Sequence, residues 1–573
     1  MADGSADLEW LIYKYAIKNA FLHSGKADVG AVVGKVIALQ KEAEVDLKKI
    51  VPKIQGIVKE INSMQFEEIE SEYKKFEEAG YELKPKEKKA GIPDLEWMES
   101  GKEAVIARFA PNPNGPMHFG HARACYMSFA FAEKYAGKFI LRFDDTDPKI
   151  KKPVAEAYKA FERDVEWLNG SAPNEIIYAS DRLDLYYDYM RRLIEKDGAY
   201  ICDCASEKWR ELIKKGKGCK CRAENKKEQM KKFEKMLAHE LMEGEAVMRI
   251  KTDLAHKDPS TRDWWIAKIV DNPQHPRVGN KYLWPSYNFA SAIDDHELGI
   301  TLIIRGQQHA QNETKQKFLY DYFKWKYPHA ITYGLVKLSE SVLSKSKIKA
   351  KIEEGEFSGF DDPRIGSIEI LRRRGITAQA IREILIDIGV KPNDITVSED
   401  ALYDANRNVI DAQADRIIYI ADPAIMDVQF AHAIEAKLPK HPDFPERGEK
   451  IYNLNEGMQR FIIEKSDAEK LKAGETIRLK HAYNVRIVKK DAMQIFAEFV
   501  SAMKTDAPLI PWLLEETSIG IEVLMPDAKI VYGSAEAEIL NYEVGSILQL
   551  ERLGYARLDA REGNTAKFWF AHK

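Results

Sequence analysis

The sequence contains few cysteines, no long apolar segment and no excess of charge. Five cysteines in 573 residues are too few for a disulfide framework. No apolar run reaches membrane-spanning length, and the amino terminus, MADGSADLEW, lacks the basic and apolar blocks of a signal peptide. The net charge of -4 argues against indiscriminate binding of nucleic acid, so any RNA contact must come from local basic patches. We therefore expect a cytoplasmic protein, long enough for several domains that each bury a core.

The most informative segment is Arg108 to Arg123, RFAPNPNGPMHFGHAR. It begins in a short apolar run of strand type, and residues 111–116 are turn residues that cannot continue a strand. The residues that follow suit a helix whose first turn holds His118, Gly120 and His121. Unpaired backbone N–H groups and the positive end of the helix dipole favour phosphate at such a position. The pattern therefore predicts a nucleotide site.

The two histidines of this segment share a helix face because they are three residues apart. Imidazoles aimed at an α-phosphate oxygen stabilise a transition state in which negative charge grows on that oxygen. Gly120 has no side chain, which leaves room for a purine ring against the helix backbone. The alternative, a surface helix with two idle histidines, is disfavoured by the strand, turn and helix context. A metal pair is disfavoured because no nearby carboxylate or histidine completes a ligand set.

The segment RFAPNPNGPMHFGHAR resembles the HIGH region of class I aminoacyl-tRNA synthetases of the glutamyl and glutaminyl branch. Within that branch the archaeal and eukaryotic glutamyl type is the most similar. The resemblance implies ATP with Mg²⁺, L-glutamate and tRNA as the reaction partners. It also implies that His118, His121 and Lys345 are catalytic and that Arg108 contacts the glutamate.

A second motif, RFDDTDP, follows the apolar strand candidate 139–143. In open α/β sheets, ligands bind at the carboxyl ends of the strands, where these acidic residues are expected to lie. A solvated acidic turn before Pro148 is an equal alternative on local sequence alone. By resemblance to the family, Asp144 binds the α-amino group of the substrate. Asp147 favours glutamate, because a glutaminyl enzyme usually reads DDTN at this place.

Arg305 follows the buried-strand candidate 300–304. A guanidinium at the carboxyl edge of a sheet favours an anion, and a structural salt bridge is the alternative. The segments WPSYNFA and ITLIIRG resemble the family's amino-acid pocket, which implies that Tyr287 and Arg305 contact the substrate side chain. Arg305 would then pair with a γ-carboxylate. Ser291 departs from the family pattern, since many relatives have asparagine there.

Downstream, residues 331–336 predict another strand, and the segment KLSESVLSKSKIKAK after it predicts a mobile Ser/Lys loop. Lysines on such a loop can close over a triphosphate, whereas a solvated basic loop is the plain alternative. LSKSK resembles the family's KMSKS loop, with Leu343 in place of methionine. The resemblance assigns ATP contacts to Ser344, Lys345 and Ser346, and makes Lys345 the group that stabilises the pentacovalent phosphate and the departing pyrophosphate.

Four cysteines lie close together, at Cys202, Cys204, Cys219 and Cys221. Four sulfurs suit tetrahedral zinc, which we favour over four unliganded thiols. The surrounding residues are rich in lysine and arginine, a pattern that fits either phosphate contact or a solvated helix face. In the family this region is the inserted acceptor-stem-binding domain, often with a zinc knuckle of similar spacing.

The last part of the chain changes from helical to β patterns. GFDDPRIGSIEILRRR resembles the family's DDPR segment, which implies tRNA contacts by Arg364, Arg372 and Arg373. From Asp427 onward, short alternating runs separated by turns predict β-barrel structure. In the archaeal and eukaryotic type, such barrels bind the anticodon.

Together these features predict a multidomain fold with an α/β Rossmann-like class I catalytic domain split by an inserted domain. The predicted regions are a helical N-terminal extension and linker (1–100), the first catalytic half (101–195), the insertion (196–285), the second catalytic half with the KMSKS-like loop (286–348), a helical stem-contact domain (349–425) and all-β anticodon-binding barrels (426–573).

The predicted function is ATP-dependent activation of L-glutamate and its transfer to tRNA(Glu), with tRNA(Gln) left open as a second acceptor. A glutaminyl-tRNA synthetase is disfavoured by Asp147 and Arg305. An HxGH nucleotidyltransferase for a small molecule would not need the basic insertion or the long β region. A tRNA-binding protein without catalysis is a third alternative. It is disfavoured because the HFGH motif, Arg305 and the LSKSK motif are all present. The family suggests a monomer.

Overall fold

The computed structural model describes residues 4–22, 25–39, 47–78, 92–100, 104–339, 341, 345–491 and 494–573. The chain divides into two compact units, residues 1–90 and 91–573. Within the described ranges, no helix combines the length and the apolar character that crossing a membrane would require.

The described residues of the first unit form helices, as the sequence predicts. On the third helix the buried residues Ile50, Ile54, Val58 and Ile61 recur every three or four positions, which places them on one face. This face packs into the common core of the unit. The described helices are α1 (Gly4–Leu22), α2 (Val29–Leu39), α3 (Leu47–Ile61) and α4 (Phe66–Glu78).

The second unit begins with alternating strands and helices. The apolar segments IARF and KFILRF form buried strands, and the Pro/Asn/Gly turn between residues 111 and 116 separates the first of them from its helix. Gly137 is required where that helix turns back, because a Cβ there would lie 1.8 Å from the carbonyl oxygen of Val105. The elements are β1 (Ile106–Phe109), α5 (Phe119–Lys134), β2 (Lys138–Phe143), α6 (Ala155–Asn169), β3 (Glu175–Tyr178) and α7 (Leu183–Glu195).

An antiparallel meander interrupts this alternation. Its four strands pair in sequence order, and its two helices are rich in lysine. The clustered cysteines lie at the end of β4 and in the turn between the two helices. The elements are β4 (Ala199–Cys202), α8 (Ser206–Lys214), α9 (Lys226–Leu237), β5 (Val247–Ile250), β6 (Trp265–Ile269) and β7 (Leu283–Pro285).

The strand and helix alternation then resumes with α10 (Tyr287–Glu297), β8 (Leu302–Gly306), α11 (Ala310–Phe323), β9 (His329–Tyr333) and β10 (Val336–Leu338). β8 and β9 join the strands of the first half in one sheet of order β3-β2-β1-β8-β9, in which every pairing is parallel. The split Rossmann-like fold is therefore confirmed.

Two strand boundaries differ from the prediction. β8 extends to Gly306, so Arg305 lies within the strand instead of after it. The expected strand 331–336 is divided into β9 and β10, because the extended structure is interrupted at Gly334. A Cβ on Gly334 would lie 2.0 Å from backbone atoms of Asn393, so this close approach needs a glycine. The partner backbone is distant in sequence, which is why local pattern alone does not reveal the break.

A helical segment follows, and it includes one short strand that pairs in parallel with β10. Serine and threonine side chains begin three of its helices, where Ser367, Thr377 and Ser398 accept hydrogen bonds from backbone N–H groups of the first turn. The elements are α12 (Lys345–Glu353), α13 (Ile368–Arg374), α14 (Ala378–Ile388), β11 (Ile395–Val397) and α15 (Glu399–Ile410).

The remainder is almost entirely β structure, arranged in two barrel-like sheets of seven strands and one hairpin, β15-β16. The all-β prediction is confirmed, but the strands begin at Arg416 instead of at Asp427. The first two strands have only two residues each, too few for an alternating pattern. The elements are β12 (Arg416–Ile417), β13 (Tyr419–Ile420), β14 (Pro423–Ala431), β15 (Ile434–Pro439), β16 (Glu449–Leu454), β17 (Gly457–Glu464), α16 (Lys465–Ala468), β18 (Thr476–Leu479), β19 (Asn484–Lys490), β20 (Gln494–Ser501), β21 (Leu509–Ile510), β22 (Leu513–Leu514), β23 (Ser518–Leu524), β24 (Ile530–Glu536), β25 (Ile547–Leu550), β26 (Gly554–Glu562) and β27 (Thr565–His572).

Candidate active site

A cavity of about 820 Å³ opens at the carboxyl ends of β1 and β8. These neighbouring strands lie where the order of the parallel sheet reverses, which is the place where open α/β sheets bind ligands. The cavity brings together predicted site residues from four separate stretches of the chain. They are Arg108, His118, Gly120, His121, Asp144, Tyr287 and Arg305.

The HFGH segment forms the start of α5. His118 has an extended backbone at the N-cap position, and the next residue, Phe119, is completely buried in the core. The rings of His118 and His121 stack with centroids 3.7 Å apart and planes 21° apart. The backbone of Phe119 donates to the carbonyl of Gly366 at 3.1 Å, which ties this helix start to the segment before α13. Both imidazoles are therefore held together at the end of α5 that attracts anions.

Gly120 lines the cavity at a place where a side chain would crowd the neighbouring groups. A Cβ at this position would lie 3.1 Å from the His118 ring and 3.2 Å from the carbonyl oxygen of Val336. We expect Gly120→Ala to raise KM for ATP by about tenfold, because the methyl group displaces the ring or the nucleotide. Gly56→Ala is the matched control, since no atom of the described residues outside its own stretch of helix lies within 4 Å of a Cβ there. An unchanged KM for ATP in Gly120→Ala would contradict this assignment.

Arg108 is buried and paired with a carboxylate of α10. Its Nε and Nη2 donate to the two carboxylate oxygens of Asp295 at 2.9 and 3.0 Å. Burial alone would lower the pKa of Arg108, but the charge of Asp295 raises it above its ordinary value. Two of the guanidinium nitrogens are thus bonded to the protein, and Nη1 has no hydrogen-bond partner among the described residues.

A second, adjacent pair fixes the end of β2. Arg142 donates through Nε to Asp294 at 2.6 Å and through Nη1 to Asp144 at 3.2 Å. Burial raises the pKa of Asp144, and the positive charge of Arg142 opposes that effect. Sequence reasoning did not single out Asp294 and Asp295, although their position as an acidic pair on the helix after Tyr287 was a usable signal.

The two other carboxylates of the DDTD motif have structural partners. Asp145 is fully buried and accepts hydrogen bonds from Tyr158 and Ser180. Burial would raise the pKa of Asp145, but these hydrogen bonds and one from His275 lower it. Asp147 lines the cavity and accepts from the backbone N–H groups of residues 149 and 150, so it also shapes the turn.

Arg305 is a buried cation of a different kind. Its Nη2 donates to the hydroxyl of Tyr327 at 2.6 Å and its Nη1 to the side-chain oxygen of Gln316 at 3.3 Å. Among the described residues no carboxylate forms an ion pair with it, and its Nε is buried without a hydrogen-bond partner. A buried guanidinium in this condition favours an anionic ligand, because an unpaired charge is costly to bury.

The KMSKS-like loop is described only in part. Ser344 lies outside the described residues. Lys345 and Ser346 begin α12, so the segment after them is helical and not a loop, but their side chains are not described. The assignment of Lys345, Ser344 and Ser346 to ATP therefore stays a prediction.

The four clustered cysteines meet between β4 and the turn after α8. The Sγ atoms of Cys202 and Cys219 are 3.8 Å apart, those of Cys204 and Cys221 are 3.5 Å apart, and all four lie within 4.8 Å of one another. A tetrahedron with metal–sulfur distances of about 2.3 Å has edges of about 3.8 Å. The sulfur positions therefore fit a zinc ion.

The three arginines assigned to tRNA contact all have acidic partners in the chain. Arg364 pairs with Asp362 at 2.7 Å, and Arg372 approaches a carboxylate oxygen of Asp164 at 3.5 Å. Arg373 donates through Nε and Nη2 to Asp559 of β26, at 2.9 and 2.7 Å. Sequence reasoning missed these partners, which include a residue of a distant sheet. A contact with tRNA at these positions stays a prediction.

Comparison with known families agrees with this architecture. Residues 104–412 match the catalytic domain of "tRNA synthetases class I (E and Q)". Residues 414–501 and 509–559 match two anti-codon binding domains of the same family. The fold and the site thus define a class I tRNA synthetase of the E and Q type.

Curated relatives narrow the assignment. The glutamate–tRNA ligase of Pyrococcus abyssi is 46% identical, over 99% of this chain and 100% of its own length. Those of Thermococcus kodakarensis and Methanocella arvoryzae are 44% and 40% identical, and the alignments cover 99% and 97% of this chain and 100% and 98% of theirs. A solved glutamate-tRNA synthetase from Elizabethkingia anophelis aligns with a TM-score of 0.40 at 22% identity, over 54% of this chain and 71% of that one. The identity and coverage of these sequence relatives show that the chain belongs to the glutamate–tRNA ligase family.

Proposed function

We propose that the cavity activates L-glutamate with ATP and transfers the glutamyl group to tRNA. In the first step a carboxylate oxygen of glutamate attacks the α-phosphorus of ATP, which forms glutamyl-adenylate and releases pyrophosphate. In the second step a hydroxyl of the terminal ribose of tRNA attacks the glutamyl carbonyl, and AMP leaves. The enzyme forms no covalent bond in either step, so its contribution is positioning and charge.

The nucleotide half of the reaction belongs to the start of α5. His118 and His121 donate to the α-phosphate as charge grows on it, and the bare backbone at Gly120 accepts the purine. Lys345, at the start of α12, contacts the phosphates of ATP and stabilises the departing pyrophosphate. Mg²⁺ enters with ATP, since triphosphates carry this ion into most active sites.

The amino-acid half is argued from charge. Asp144 takes the α-ammonium, because it is a mostly buried carboxylate at the cavity wall. Tyr287 and the remaining donor of Arg108 line the pocket between them. The observation that carries the proposal is Arg305, a buried guanidinium with no acidic partner among the described residues. The γ-carboxylate of glutamate supplies that partner, whereas the neutral amide of glutamine does not.

The test is aminoacylation with glutamate and with glutamine, each against purified tRNA(Glu) and tRNA(Gln), with ATP consumption followed in parallel. We expect glutamate on tRNA(Glu). Glutamate on tRNA(Gln) as well would make the enzyme non-discriminating toward tRNA. Attachment of glutamine would overturn the role given to Arg305, and failure of both amino acids would overturn the proposed reaction.

We also propose that Cys202, Cys204, Cys219 and Cys221 hold a structural zinc ion. Zinc would crosslink β4 to the turn after α8, which stabilises the insertion without taking part in the chemistry. We expect about one zinc per chain by elemental analysis, and a large loss of metal in Cys221→Ser. Cys125→Ala is the control, because that cysteine is buried elsewhere and bonded to Asn169. Purified protein without stoichiometric metal would disprove the site.

A further inference from the structure

Arg305 is held by a chain of hydrogen bonds that runs away from the cavity. The hydroxyl of Tyr327 accepts from Arg305 Nη2 at 2.6 Å and donates to Gln316 Oε1 at 2.7 Å. The Nε2 of Gln316 in turn donates to Ser291 Oγ at 2.7 Å. Gln316 and Ser291 are fully buried, so these contacts are shielded from water and have few alternatives.

The hydrogen bond between Gln316 and Ser291, at the end of this chain away from the cavity, sets the direction of the other hydrogen bonds. Because the Nε2 of Gln316 is occupied by Ser291, the amide oxygen is the atom that faces Arg305 and Tyr327. That oxygen accepts a hydrogen bond from the hydroxyl of Tyr327, so the hydroxyl oxygen is left to accept a hydrogen bond from the guanidinium. Burial raises the pKa of Tyr327 to about 12, so the hydroxyl stays protonated at neutral pH. Both groups that accept hydrogen bonds from Arg305 are therefore neutral, and neither offsets its positive charge.

We propose that Tyr327 and Gln316 are positioning residues that hold Arg305 for a carboxylate and thereby set the preference for glutamate over glutamine. This inference rests on the proposed function. A carboxylate only accepts hydrogen bonds, whereas an amide presents one acceptor and one donor. A guanidinium that is fixed at both Nη atoms cannot rotate away from the side-chain NH₂ of glutamine. The N–H groups of Arg305 would then point at another hydrogen-bond donor. A guanidinium that is free to rotate can accommodate either side chain.

The decisive variant is Tyr327→Phe, which removes one oxygen atom from the chain of hydrogen bonds. We expect KM for glutamate to rise about tenfold and the glutamate-to-glutamine ratio of kcat/KM to fall by a similar factor. KM for ATP should not change. Tyr320→Phe is the matched control, because the Tyr320 ring packs against Tyr327 at 4.9 Å while its buried hydroxyl has no partner among the described residues. The control should keep the wild-type ratio.

A second variant, Gln316→Glu, tests the same inference through charge. It places a carboxylate next to Arg305, which neutralises the cation and repels the γ-carboxylate, so kcat/KM for glutamate should fall about 100-fold with a smaller effect on glutamine. Equal glutamate-to-glutamine ratios in Tyr327→Phe, Tyr320→Phe and wild type would overturn the inference. A parallel loss toward ATP and both amino acids would also overturn it, because that result indicates a merely structural role. If wild type itself does not charge glutamate, the proposed function fails first, and the two failures are distinguishable.

Discussion

Alanine in place of His118 or His121 is expected to lower the rate of ATP–pyrophosphate exchange, measured with tRNA present, by about 100- to 1000-fold. Each ring lies at the first turn of α5 and lines the cavity, so each can donate to an oxygen of the α-phosphate. Such a donor matters most when charge accumulates in the transition state. The loss should therefore appear in kcat, with little change in KM for glutamate.

The asparagine variants separate this catalytic role from a structural one. Asparagine keeps a hydrogen-bond donor and is a good N-cap residue, so His118→Asn should recover part of the lost rate and none of the helix stability need be lost. The two rings stack on each other, so thermal unfolding of every variant must be recorded alongside the kinetics. A drop of less than tenfold in kcat for both alanine variants would contradict the assignment.

The fold around His118, Gly120 and His121 was predictable because its signal is contiguous. HFGH, the turn before it and the strand before that turn lie within about twenty residues, and each obeys a local rule of strand, turn or helix start. The strands of the parallel sheet were predictable for the same reason, since each strand is a short apolar run. Arg305 was predicted as an anion-binding residue although its strand extends past it.

What local pattern did not reveal is the set of partners that hold these residues in place. Asp295 is 187 positions from Arg108, and Asp559 is 186 positions from Arg373. Tyr327 and Gln316 look like ordinary turn and helix residues, and only the tertiary contacts of β8 with α11 and with the turn before β9 place them around Arg305. Partner choice over such separations depends on tertiary packing, which neither periodicity nor a motif encodes.

The second large effect is expected from Arg305→Ala. Removing one partner of a buried ion pair costs about 3–5 kcal/mol, because the other charge is left buried and unpaired. In the proposed complex that charge is the γ-carboxylate of glutamate, so kcat/KM for glutamate should fall by about 100-fold to several thousand-fold. The same variant should use glutamine no worse than wild type, and KM for ATP should stay the same.

The free enzyme should tolerate this substitution, which makes the kinetic result interpretable. No carboxylate among the described residues loses its counterion, and Tyr327 and Gln316 keep the hydrogen bond between them. Arg305→Lys is the informative companion: it retains the charge but not the planar fork, so it should recover affinity only in part. If Arg305→Ala kept glutamate kinetics equal to wild type, the γ-carboxylate would have to bind elsewhere in the cavity. The only other buried guanidinium predicted to contact substrate, Arg108, is already paired with Asp295, so that outcome would require Asp295 to release it.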